Sequence, residues 1–165
     1  MRKEEIISKG IYTGAQYPEL VSVKQYIIFR KDGEKHLLLR LSNDRNETVN
    51  SLRLKINQLD VKGNILNSQV YTFDGLNADG NKAFALGEQI KIEDSCVDFH
   101  IETVSAKYGE YTYTLKNGEL FASYEGSNEE MPVNKEELRK KLNGKSQKLL
   151  AKTIHAPKMI LFSML

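Results

Sequence analysis

Cys96, Asp98, His100 and Glu102 stand at every second position of CVDFHIETV, a row of side chains able to ligate, attack or titrate. In an extended strand they share one face, ~7 Å apart along the chain. A nucleophile and its base need about 3 Å, so the row cannot act by itself. A metal would need His100 together with a carboxylate from a neighbouring strand. The expected role of the row is the solvated face of a half-buried strand, with Val97, Phe99 and Ile101 turned to the core. His36 also lies on the non-core side of its strand, and it meets His100 only if their strands are neighbours in one sheet. A soluble ligand-binding or hydrolytic β-sandwich using His36 or His100 is the alternative that these residues carry. His155 lies apart from both. Tyr108, Tyr111 and Tyr113 occur with Lys107 and Lys116, a mixture that can stack and neutralise single-stranded nucleic acid. Tyr111, Tyr113 and Leu115 alternate, however, which fits aromatics filling a core.

No G-x-S-x-G, H-E-x-x-H or phosphate-loop motif is present. With one cysteine there is no internal disulfide and no cysteine-based zinc site. The chain is expected to be non-catalytic, with no metal and no cofactor.

The elements that position these residues are short and strand-like. VSVKQYIIFR and EKHLLLRLS flank Asp32-Gly33, and YTYTL and ELFASY flank Asn117-Gly118. Both dipeptides suit a hairpin whose two central residues have φ > 0. Leu37, Leu39 and Leu41 alternate on one side, as do Leu52, Leu54 and Ile56. The phase slips after Ile56, where Leu59 and Val61 are apolar, and a bulge near Gln58 accounts for it. Phe84, Leu86, Ile90 and Ile92 are in phase. About eight strands, with turns every ~8–12 residues, predict an all-β antiparallel sandwich.

LRLSNDRNETVNSLRLKINQLDVKGNIL and ALGEQIKI resemble small bacterial immunoglobulin-like β-sandwich modules of the FxLYD-like kind. Asn43 closes a strand, Asp60 and Gly63 make the next corner, and Gly87 with Glu88 precede a later strand. The resemblance covers about residues 35–105. It implies a scaffold without catalytic residues, of a kind found in envelope or membrane-associated proteins. Physically, Asn43 can satisfy turn backbone groups, and Asp60 with Gly63 can form a tight corner.

Charge divides the chain. Residues 1–133 hold 16 Lys/Arg against 20 Asp/Glu, and residues 134–165 hold 8 against 2. The body is therefore acidic by four and the tail basic by six, a split that points to separate partners. The tail changes period. Asn134 and Glu137 begin a helix, Asn143-Gly144 stops it, and a second helical piece from Ser146 ends before Pro157. The expected layout is an N-terminal extension (1–17), an immunoglobulin-like sandwich (18–126), a linker (127–133) and a basic helical tail with an apolar end (134–165).

No ~18-residue apolar run crosses a membrane, and the N-terminus has no apolar signal region. A cytoplasmic interaction or scaffold module is expected, contacting an anionic membrane face or a protein partner. Arg139, Lys140, Lys141, Lys145, Lys148 and Lys152 would supply charge. Met159, Ile160, Leu161 and Phe162 would supply apolar anchoring. With Arg139 alone able to read bases bidentately, specific nucleic-acid recognition is not expected. An oligomer is left open.

Overall fold

The computed structural model describes residues 4–14, 16, 20–86 and 90–133. The tail at 134–165, with the helices and the ten contact residues expected there, lies outside the described residues. So does the Gly87-Glu88 pair.

Among the described residues eleven strands follow one another: β1 (Glu4–Ile11), β2 (Val21–Lys31), β3 (Glu34–Asn43), β4 (Val49–Leu59), β5 (Ile65–Phe73), β6 (Ala83–Ala85), β7 (Ile90–Lys91), β8 (Asp98–Tyr108), β9 (Tyr111–Lys116), β10 (Glu119–Tyr124) and β11 (Glu130–Pro132). One sheet runs β1-β2-β3-β6, with β7 also paired to β3. The other runs β11-β10-β9-β8-β4-β5. Every pairing is antiparallel. β1 falls within the stretch read as an extension and extends the first sheet. β11 falls within the stretch read as a linker and extends the second.

The alternation in the sequence becomes the core. Leu37, Leu39 and Leu41 of β3 join Leu52, Leu54 and Ile56 of β4 and Ile101 of β8 in a single apolar cluster between the sheets. Burying each such side chain contributes ~1.5–3 kcal/mol. Tyr12 stacks on Phe99 with ring centroids 5.8 Å apart, and Tyr26 meets the same ring edge-on at 5.0 Å. The Ile101 N–H donates to Tyr12 Oη at 2.8 Å, tying the chain after β1 to the opposite sheet.

Both hairpin turns have the expected backbone: Asp32 and Gly33 have φ of 55° and 80°, and Asn117 and Gly118 have φ of 51° and 80°. The phase slip in β4 is a register shift against β5 between Gln58 and Leu59. At the corner after β4, Asp60 Oδ1 accepts from the N–H groups of Lys62 and Asn64, each at 2.9 Å.

The β5–β6 connection lies directly on the β3–β4 loop. Val49 and Ala78 exchange backbone hydrogen bonds, and the Asn81 N–H donates to the Arg45 carbonyl at 2.8 Å. Gly80 sits at the closest approach, where a Cβ would lie 2.5 Å from the Asn46 carbonyl carbon and 2.9 Å from the Arg45 oxygen. Both are backbone atoms and cannot turn aside. Gly80→Ala is therefore expected to lower stability by ~1–3 kcal/mol, read as a lower urea midpoint at unchanged slope. An unchanged midpoint would mean the two loops separate freely.

Candidate functional site

β8 delivers only part of the row that the sequence suggested. His100 and Glu102 lie on the outer face, with His100 Nδ1 3.7 Å from Glu102 Oε2. Cys96 does not join them. It precedes the strand, is fully buried, and donates from Sγ to the Asp98 carbonyl at 3.2 Å. Val97, expected in the core, is 53% exposed. The alternation starts only at Asp98, because the chain from Glu93 to Cys96 is a turn closed by the Cys96 N–H on the Glu93 carbonyl. Burial pushes the Cys96 thiol above its ordinary range, so it is a neutral core side chain.

His36 and His100 stand in different sheets, on β3 and β8. His36 instead stacks on Phe29 at 5.5 Å, with Nε2 3.9 Å from Glu34. Among the described residues no group of three or more His, Cys, Asp and Glu side chains is placed to hold a metal ion. The tyrosines turn inward: Tyr108, Tyr111 and Tyr113 are buried. Lys107 pairs with Glu125 at 3.5 Å and Lys116 with Glu130 at 2.5 Å.

Two constellations emerge that strand periodicity did not reveal. The first is a buried cation. Arg45 is 2% exposed, with its guanidinium carbon 4.4 Å from the Tyr113 ring centre and 5.0 Å from that of Tyr108. Nη2 donates to Glu47 Oε1 at 2.8 Å and to Tyr113 Oη at 3.2 Å. Nη1 is enclosed without a partner. Burial opposes the charge, but Tyr113 and Glu47 outweigh it and hold the guanidinium pKa above its usual value. Beside it, Asn43 Nδ2 donates to the Glu47 carbonyl at 2.7 Å and reaches those of Ala78 and Asp79 at 3.2 Å. Asn43 Oδ1 accepts from the Arg45 N–H at 3.1 Å. Tyr108 Oη lies 3.0 Å from the Leu20 carbonyl and 3.1 Å from Asn43 Oδ1. Asn43 thus does the turn-satisfying work expected of it.

The second is a polar cleft of about 400 Å³ on the side where β5 and β7 edge the two sheets. Asn67, Gln69 and Tyr71 of β5 form one wall, and the β2–β3 turn and the Ile92–Asp94 segment form the other. Its charges are largely committed. Lys91 pairs with Glu34 at 3.0 Å and Arg30 with Asp94 at 3.0 Å. Buried Lys35 donates to the carbonyls of Asp94 at 2.9 Å and Cys96 at 2.6 Å. Gln58 Oε1 accepts from the Glu93 N–H at 2.7 Å. What remains is amide and phenol: Asn67, with its enclosed Oδ1 unpartnered, Gln69, and Tyr71, whose phenol burial pushes up. Such groups hydrogen-bond an uncharged polar ligand or a peptide backbone.

Comparison with protein-family models, with curated proteins and with solved structures gives no match.

Arg45→Ala is expected to cost ~3–5 kcal/mol, because it empties a packed site and strips Tyr113 Oη and the β3–β4 loop of their partner. Arg45→Met, which restores the stem without the charge, should recover much of that loss. Urea midpoints of both variants check the ordering.

The tyrosines set an alkaline limit. Burial, helped by Tyr113, Tyr124 and Glu110, pushes Tyr111 up to about 12. Burial also raises Tyr108 and Tyr113, against the pull of Arg45. In the unfolded chain phenols ionise near ~10, so stability is full below that pH and is lost as pH rises through the folded values. The thermal midpoint should be flat from pH 8 to about 9.5 and fall above it, and Tyr113→Phe should flatten the fall.

Proposed function

We propose that this chain is a non-catalytic interaction module: an immunoglobulin-like sandwich that presents a basic, apolar-ended segment to an anionic membrane surface or a protein partner. The observation that carries this reading is the charge division, acidic by four over residues 1–133 and basic by six over residues 134–165. Val133 closes the described body, its N–H bonded to the Leu120 carbonyl at 2.8 Å. The basic segment therefore starts immediately after the edge strand β11, and the two charge blocks coincide with sheet and tail.

Strand order supports the immunoglobulin-like part. β2-β3-β6 with β7 follows the A-B-E order of one immunoglobulin sheet. β9-β8-β4-β5 follows the G-F-C-C′ order of the other. β1, β10 and β11 are additions at the edges. In such a scaffold function lies in what the surface presents, not in the fold.

No helix among the described residues is long and apolar enough to cross a membrane. Contact with a membrane would then be interfacial, through Arg139, Lys140, Lys141, Lys145, Lys148 and Lys152, with Met159, Ile160, Leu161 and Phe162 as the apolar anchor. Each cation near an anionic surface is worth ~1 kcal/mol. The full chain should co-sediment with vesicles containing anionic lipid and release as salt rises. Replacing Lys140, Lys141, Lys145 and Lys148 with Gln should weaken binding about 10³-fold at low salt. If the unsubstituted chain stays in the supernatant with anionic vesicles at low salt, the membrane arm falls and a protein partner is left.

A further inference from the structure

A sheet edge is a row of unpaired backbone donors and acceptors, and proteins shield such rows with charge, proline, bulges or short length. Among the described residues the two sheets have four edges, and three of them are shielded. β1 carries Glu4, Glu5 and Lys9 and a register shift between Ile6 and Ser8. β6 and β7 are three and two residues long. β11 is three residues long and contains Pro132. β5 is different. It is nine residues long, reads ILNSQVYTF, and contains no charged residue and no proline. Among the described residues β4 is its one neighbour, and the register irregularity falls at its Ile65 end. Ile65, Leu66 and Val70 are 63%, 37% and 39% exposed.

We propose that the free edge of β5 is a homotypic interface, where a second copy of this chain pairs antiparallel about a two-fold axis at Ser68. The composition of the strand fits this occupant. An uncharged strand can meet its own copy without setting like charges opposite one another, which would destabilise the pairing. A two-fold at Ser68 also matches the central residues in kind. Leu66 meets Val70 of the other copy on the outer face, and Asn67 meets Gln69 on the cleft side. Moving the axis to Gln69 would set Leu66 against Thr72 and Ser68 against Val70, apolar against polar along the outer face.

One further feature agrees with this register. Just outside the strand, Asp74 at one end approaches Lys62 in the turn at the other, so the ends carry opposite signs. A two-fold contact is closed, and it yields a dimer rather than a fibre.

One strand edge offers less than the ~800 Å² per partner of a standard interface. The association is therefore weak, with a dissociation constant on the order of 10–100 μM. The inference deepens the interaction-module reading by naming one partner. It uses no vesicle and none of the tail residues, so its failure and that of the membrane arm are separate results.

Sedimentation velocity of the full chain from 5 to 500 μM tests it. A reversible monomer–dimer equilibrium is expected, and Ser68→Lys, which sets two cations face to face on the axis, should abolish it. Position-specific crosslinking tests the register, since the native Cys96 is buried and silent. Ser68→Cys should oxidise readily to a covalent dimer at 200 μM. Thr72→Cys, on the same strand and exposed, should not, because its two copies stand ~27 Å apart along the ladder. A monomer throughout the range overturns the proposal. So does equal crosslinking at both positions, and so does open-ended growth with concentration.

Discussion

The loop end of this sandwich depends on a single enclosed cation. Arg45 lies between the rings of Tyr108 and Tyr113, which come from β8 and β9 of one sheet, and is held by the loop that leaves β3 of the other. A guanidinium suits this place because it is planar, weakly hydrated and able to stack and donate at once. Its backbone is fixed by Asn43, which also satisfies carbonyls of the β3–β4 and β5–β6 connections. One charge and one amide thus join two sheets and two loops, and Gly80 leaves the room that the loops need.

The opposite flank is organised differently. Between β5 and β7 the sheets part, and the resulting cleft is filled by polar groups. Lys35, which is nearly enclosed, is spent on the carbonyls that hold the segment before β8. The pairs Arg30–Asp94 and Lys91–Glu34 are exposed or partly so, and are worth little as stability. They neutralise one wall of the cleft, across from the amides and phenol of β5.

The body is thus closely packed where loops converge and opens into a cleft where β5 and β7 edge the sheets. In the reading proposed above, specificity resides in edges and appended segments, and the opposite net charges of body and tail would suit different partners.

Much of the fold was legible in the sequence, since strand faces and tight turns are local properties. Alternation of Leu37, Leu39 and Leu41 fixes which side of β3 is inward, and Asp-Gly and Asn-Gly supply backbone that few other pairs adopt. The slip at Gln58 was visible for the same reason. The candidate site was not legible. Cys96 and Val97 exchanged places because a turn delays the start of β8, and period-two counting cannot see a turn stabilised by Lys35 from sixty residues away. Arg45 reads as an ordinary loop charge, and only the convergence of β3, β8 and β9 encloses it. Which of four strand edges is left bare is likewise decided by sheet order. Local pattern determines what each strand can bury, whereas long-range pairing decides what each strand meets.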